Sequence, residues 1–452
     1  MTGGLGRLSV RFQSVASVDS IATVRRARNV LGPSIDLHKG FVMRSRLSFS
    51  KYAAFCIVML VLGLGSRTSA AVPYTFTLIA DNSGPFSFIA PVPPSINAGG
   101  TVAFLSLLDA GGQGIFTGTG VVPNATNTIA DTSGRFERFS GPSINAAGTV
   151  AFFADLGAGG QGIFTGTGAA PNATATVADT GGPFNRVFVT PPIDANGTVA
   201  FVAGFPGGTG IFTGTGAVPN VTTTVADSSG PFSAFSSGVS INAGGTMAFQ
   251  ALLDNGERGV FTSTGAVPNV TTPIVDSTGP LDSFGPSPAI NAGGTVLFDA
   301  LVDGGGVQGL FTGNGAALNV ITPIADTTGA FANFASTYAI NAAGAVAFFA
   351  TTDTGNDGIF TGPDAIAHKV IETGDLLFGN PVEFVDIFTE GMNDAGQIAF
   401  YFELENGTRG IARADPELVL PPEVPISAAS TLPLLGIGLG ALAFAARRKI
   451  AT

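Results

Sequence analysis

The sequence predicts an all-β fold, a seven-bladed β-propeller of four-stranded repeats about 48 residues long. Three observations point to it. One octapeptide recurs seven times at nearly even spacing. A Gly-Ile-Phe-Thr motif keeps step with it. The strands that both motifs encode are apolar on both faces, so each unit needs a neighbour on either side.

The octapeptide reads NAGGTVAF from Asn97, NAAGTVAF from Asn145, DANGTVAF from Asp194 and NAGGTMAF from Asn242. It continues as NAGGTVLF from Asn291, NAAGAVAF from Asn341 and NDAGQIAF from Asn393. Its fourth residue is always glycine: Gly100, Gly148, Gly197, Gly245, Gly294, Gly344 and Gly396, spaced by 48, 49, 48, 49, 50 and 52 residues. Asn-x-x-Gly between apolar stretches is a hairpin signal. The Asn side chain bonds to backbone two residues on, and the glycine takes a positive φ in a three-residue loop.

The strand that follows, Thr101 to Leu107, carries Val102 and Phe104 on one face and Ala103, Leu105 and Leu107 on the other. Asp109-Ala110-Gly111-Gly112 turns the chain into Gly114-Ile115-Phe116-Thr117, and a Val-Pro-Asn corner at Val122 leads to a third strand ending at Asp131. The short Ser143-Ile144 stretch before the next Asn turn is the fourth strand. Aspartates recur at the end of the third strand, at Asp81, Asp131, Asp179, Asp227, Asp276 and Asp326; the seventh copy is altered to Glu372-Thr373-Gly374-Asp375. Tyr74 to Ala80 at one end, and Gly410 to Ala414 with Glu417 to Leu420 at the other, are candidates to complete a shared blade and hide the sheet edges. The competing architecture is an open stack of small sheets.

Composition agrees. The 452 residues include 64 glycines and 28 prolines, and only 11% are charged. Disordered chains are apolar-poor and charge-rich, and a helical bundle would lose about 1 kcal/mol at each interior glycine. The one cysteine, Cys56, precedes the repeats, which rules out a disulfide or thiolate metal site in the repeat region.

The termini read as addresses. Residues 43–71 hold Arg44, Arg46 and Lys51, then the apolar run Ala53 to Gly65, then the small residues Ser69-Ala70-Ala71. This is the layout of a secretory signal peptide. Residues 1–42 fit no part of it and read as a gene-model extension before a true start at Met43, or as a disordered basic arm. The propeller is assigned to 72–420, a Pro-rich linker to 421–431, and an apolar anchor with a basic stop at Arg447-Arg448-Lys449 to 432–452. Between Ala71 and Glu423 there are seven basic against 29 acidic residues. So acidic a body repels nucleic acid and anionic surfaces.

Spacer, glycine-rich span and terminal arginines resemble the PEP-CTERM class of bacterial sorting signals, although Val424-Pro425-Ile426-Ser427 stands in place of Pro-Glu-Pro. The resemblance implies export machinery and an exosortase as partners, and residence at the inner membrane through the C-terminal helix before any processing. The octapeptide with its GIF strand is similar to the NxxGxxAF tandem-repeat family of bacterial exported proteins. That resemblance implies the cell envelope, cell surface or extracellular space, and supplies no substrate.

Chemistry is sparse. The only histidine in the body, His368, reads as a solvated strand-end residue. The repeated aspartates read as Asx turns, and the sequons at Asn124, Asn172, Asn220 and Asn269 as turns of the Pro-Asn corner. Asp353, Asn356 and Asp357, and Glu383 and Asp386 with Glu390 and Asp394, are oxygen-rich candidates for calcium, without a full EF-hand spacing. No catalytic residue and no cofactor site other than this calcium is expected. The function that follows is a non-enzymatic surface or matrix scaffold, or a propeller that binds glycan or protein weakly. The alternative is a secreted enzyme acting on polysaccharide through carboxylates at the central mouth.

Overall fold

The computed structural model describes residues 73–417, apart from Pro93 and Val189. The segments 1–42, 43–71, 421–431 and 432–452, and the last residues of the expected propeller, lie outside the described residues.

Within the described residues all regular structure is β, arranged as seven antiparallel sheets. The first blade shows the plan. Its inner strand comes in two pieces, Phe86–Ile89 and Ser95–Ile96, followed by Val102–Leu108, Gln113–Gly118 and the outer strand Thr126–Asp131. Ile96 pairs with Val102 across the Asn turn, Phe104 with Phe116, and Phe116 with Thr128 beyond a bulge. The turn glycines behave as the motif requires: all seven sit at φ between 77° and 85°. The glycine of Gly-Ile-Phe-Thr has a steric reason. A Cβ on Gly114 would lie 2.7 Å from the Ala130 carbonyl and 2.9 Å from the ring of Phe116.

The inner strand differs from the sequence reading, which took only its second piece as a strand. Prolines decide where it breaks. Blades 1, 2, 3 and 5 carry Pro94, Pro142, Pro191 and Pro286 near the break, and proline cannot donate to a ladder. Blades 4 and 6 have none there, and their inner strands Phe232–Ile241 and Phe331–Ile340 run through.

The ring is closed by the N-terminal strand. Tyr74–Asp81 pairs antiparallel with Arg409–Pro416, from Tyr74 opposite Pro416 to Asp81 opposite Gly410. The seventh blade thus takes its outer strand from the start of the repeat region and its other strands, Asn380–Asp386, Ile398–Leu404 and Arg409–Pro416, from the end. Arg413 reinforces the seam: it pairs with Asp415 at 2.7 Å and donates across to the Gly100 carbonyl at 2.8 Å.

The core is divided among the blade interfaces. Seven apolar clusters occur, and each joins residues of two consecutive blades, the seventh and first included. Phe152 and Phe164 of blade 2 pack with Ala103, Leu105 and Ile115 of blade 1, while Ala151, Phe153 and Ile163 on the other face meet blade 3. The octapeptide phenylalanines are all at most 1% exposed. Each contributes roughly 1.5–3 kcal/mol by leaving water. Their rings also meet within a blade: Phe86 lies edge-on to Phe104 and Phe116, with centroids 5.7 and 5.1 Å away.

Candidate functional site: the blade seams and the axial channel

Polar side chains of the repeat gather in two places. At the outer seams, the Pro-Asn corner of one blade meets the end of the previous outer strand. Asn124 adopts φ 62°, and its side chain bonds reciprocally with Asp81: the Asp81 N–H donates to Asn124 Oδ1 at 2.8 Å, and Asn124 Nδ2 donates to Asp81 Oδ1 at 2.9 Å. The same clamp joins Asp131 to Asn172, Asp179 to Asn220, Asp227 to Asn269 and Asp276 to Asn319. The Asp side chain also caps its own turn, with the Ser83 N–H donating to Asp81 Oδ1 at 3.0 Å. The sequence reading of both residue sets as turns describes their backbone; that they pair with each other across blades is legible only in three dimensions. Burial acts against the charged forms of Asp131, Asp227 and Asp276, yet hydrogen bonds from Ser133 and Asn172, Ser229 and Asn269, and Thr278 and Asn319 hold these carboxyls below the ordinary range.

At the inner rim, each octapeptide Asn does two jobs. Its Oδ1 accepts N–H groups of its own turn, as in Gly99 to Asn97 and Thr101 to Asn97, both at 3.0 Å. Its Nδ2 donates to the backbone carbonyl at the same position one blade on. Asn393 donates to Asn97, Asn97 to Asn145, Asn145 to Asp194, Asn242 to Asn291, and Asn291 to Asn341, at 3.0 to 3.3 Å. Two links differ. Asp194 keeps the turn bonds and has no amide to pass on. Between blades 6 and 7 the Ala342 N–H donates instead to Asp394 Oδ1 at 2.8 Å. Asp194 and Asp394 therefore sit with these asparagines at one mouth of the channel, a recess of about 200 Å³.

Further along the axis, Glu390 lines a smaller cavity. Ser95 Oγ donates to Glu390 Oε2 at 3.2 Å, and the Ile96 N–H donates to the Glu390 carbonyl at 3.0 Å.

The calcium candidates are not gathered into one set. Asp353 is exposed in a hairpin turn of blade 6; the Asn356 N–H donates to Thr352 Oγ1 at 3.1 Å, and Asp357 Oδ1 accepts from the Thr351 hydroxyl at 2.7 Å. Glu383 is exposed on the inner strand of blade 7. Asp386, on the same strand, is half-buried and accepts the Ile387 N–H at 2.8 Å; burial pushes its carboxyl up to about 6. Among the described residues no three His, Cys, Asp or Glu side chains converge as a metal site. His368 is half-buried rather than fully solvated: its Nδ1 accepts the Asp364 N–H at 3.2 Å, and its carbonyl accepts the Thr361 N–H at 2.8 Å, closing the loop before Lys369–Glu372.

Fold and seams together define a seven-bladed propeller with a strand from each end of the repeat region in its closing blade. A model of DUF7453, a family of unknown function, matches residues 96–411, and the chain belongs to that family. No curated protein matches the chain. Among solved structures, apo prolyl oligopeptidase B from Galerina marginata is similar at 10% identity and a TM-score of 0.48, covering 80% of this chain and 52% of that one. This chain thus spans about half that peptidase's length. An oligogalacturonate lyase in complex with manganese is similar at 11% identity and a TM-score of 0.47, covering 77% of this chain and 99% of that one. Neither likeness carries chemistry to this chain.

Two measurements test the seams. Asp194→Asn supplies the amide missing from the inner ring and is expected to raise stability by about 0.5–1.5 kcal/mol in denaturant titration; an unchanged or lower midpoint contradicts the relay. Asp131, Asp227 and Asp276 have pKa values lower folded than unfolded. Their stabilisation is present above the unfolded value, near 3.9, and is lost as pH falls through the depressed folded values. Asp227→Asn should therefore lose less stability on acidification than the unaltered chain, and equal acid loss in both would remove the clamp's role.

Proposed function

We propose that this chain is an exported, non-enzymatic propeller that acts at the cell surface or in the extracellular matrix as a rigid scaffold for weak recognition of glycans or proteins. One observation carries the reading: the polar residues that the repeats share are engaged in holding blade to blade. Asp81, Asp131, Asp179, Asp227 and Asp276 are capped and clamped, and five octapeptide asparagines bond to the next blade around the inner rim. A sequence repeated for those purposes encodes a stiff platform. The signal-like residues 43–71 and the sorting-like tail after Pro421 support the address. On this reading the tail anchors the chain in the inner membrane before an exosortase acts on it.

The polysaccharide-cleaving alternative needs a free carboxylate pair at the mouth. Asp194 and Asp394 are the carboxylates there, and each accepts backbone N–H groups. Two experiments separate the readings. Fractionation of cells expressing the chain with and without the residues after Pro421 should find the intact chain in the envelope and the shortened one released outside the cell; both forms in the cytosol would sink the address. Incubation with a polysaccharide panel should give retention without new reducing ends. Turnover abolished by Asp394→Asn would establish the enzyme instead.

A further inference from the structure

The repeat carries its own template for a ligand. In blade 2, Arg135 stands just before the inner strand and lays its guanidinium over two rings, 4.6 Å from the centre of Phe164 and 5.1 Å from that of Phe136. The same group donates to the hydroxyls of Thr174 at 3.2 Å and Thr176 at 3.3 Å. A stacking face and two acceptors thus hold a planar cation, an arrangement that suits guanidinium better than ammonium.

Blade 3 repeats this site without its occupant. Pro183 stands where Arg135 does, Phe184 and Phe212 replace Phe136 and Phe164, and Thr222 and Thr224 replace Thr174 and Thr176. These residues wall a surface groove of about 530 Å³. Phe164 is fully covered beneath its guanidinium, whereas Phe212 keeps 7% of its surface exposed. Phe205, edge-on to Phe212 with centroids 5.9 Å apart, adds a ring where blade 2 has Leu156. The remaining blades lack part of the set. At the position of Thr224, blades 4 to 7 have Pro273, Pro323, Lys369 and Leu78. Blade 1 keeps both threonines, but Leu108 and Asp109 stand where blade 3 has Phe205 and Pro206.

Charge selects the same kind of ligand. Asp227 lines the groove, and the bonds of its clamp and turn all end on Oδ1, which leaves Oδ2 for a cation. The body carries 29 acidic against seven basic residues between Ala71 and Glu423, so a basic segment is drawn to it at long range.

We propose that the blade 3 groove binds an arginine side chain of a partner protein, stacked on Phe212 and hydrogen-bonded to Thr222 and Thr224 as Arg135 is bonded in blade 2. This rests on the reading of the propeller as a recognition platform and names a partner class for it, a protein segment with an accessible arginine. A neutral glycan could stack on the same rings but offers no charge to Asp227.

The test is saturation-transfer NMR on the full-length chain with the peptide acetyl-Gly-Arg-Gly-amide and its lysine counterpart at matched ionic strength. The arginine peptide is expected to bind about five-fold more tightly, because an ammonium neither stacks as a plane nor forks between two hydroxyls. Pro183→Arg rebuilds the blade 2 arrangement, fills the groove with the protein's own guanidinium and should abolish binding. Thr224→Val should weaken binding roughly 3–10-fold by removing one acceptor. Equal affinity for the two peptides overturns the site, as does arginine binding that survives Pro183→Arg. Should that variant not fold, the peptide comparison and Thr224→Val still decide: no arginine preference, or no loss in Thr224→Val, rejects the groove. A neutral oligosaccharide that binds where the arginine peptide does not also rejects this proposal, and it leaves the platform reading standing.

Discussion

Apolar surface on both faces of every blade is the constraint from which the rest follows. A four-stranded sheet with Val102 and Phe104 on one side and Ala103 and Leu105 on the other cannot be covered by its own turns. Stacking solves this for a central blade and leaves the first and last with wet faces. Closing the stack into a ring removes the ends. The seven apolar clusters, one per interface, are the physical expression of that solution. Sharing the closing blade between Tyr74–Asp81 and Arg409–Pro416 ties the two ends of the described chain together by a strand ladder.

Polar groups add direction to this packing. Hydrophobic contact between smooth sheets leaves the blades free to slide. The Asp–Asn clamps at five outer seams and the Asn relay at the inner rim hold blade 7 and blades 1 to 5 at two radii. These are hydrogen bonds of ordinary net worth, about 1 kcal/mol each, so their effect lies more in register than in gross stability. At the seam from blade 6 to blade 7 the clamp sequence is replaced by Glu372 to Asp375 with ion pairs from Lys369, and blade 7 carries Glu390 at the axis.

Much of the fold was legible because local chemistry and global need agree. Asn97 and Gly100 announce their hairpin through turn stereochemistry: Asn97 Oδ1 accepts the Gly99 N–H, and Gly100 takes φ 77°, which glycine adopts freely. The two-faced strands imply neighbours. The first half of the inner strand was missed because Phe136-Glu137-Arg138-Phe139 has no strong pattern in so short a piece, and proline at 142 hides its continuation. The pairing of Asp81 with Asn124 was out of reach for another reason: each residue has a sufficient local explanation as a turn former, 43 residues apart. Glu390 was visible only as one acid in a loose run with Glu383, Asp386 and Asp394. The structure separates that run into an exposed strand position, a half-buried one, an axial one and a rim one.

The dependence of every blade on its neighbours is tested most directly by hydrogen exchange, read blade by blade, on a chain lacking Tyr74–Asp81. Removal of that strand strips the outer edge of blade 7 and part of the cover of blade 1, where Ile79 and Ala80 are fully buried. A mutually dependent ring predicts that protection falls in all seven sheets and that they open together. Protection lost in blade 7 alone, with the other six unchanged, would show that the blades stand by themselves and would contradict it.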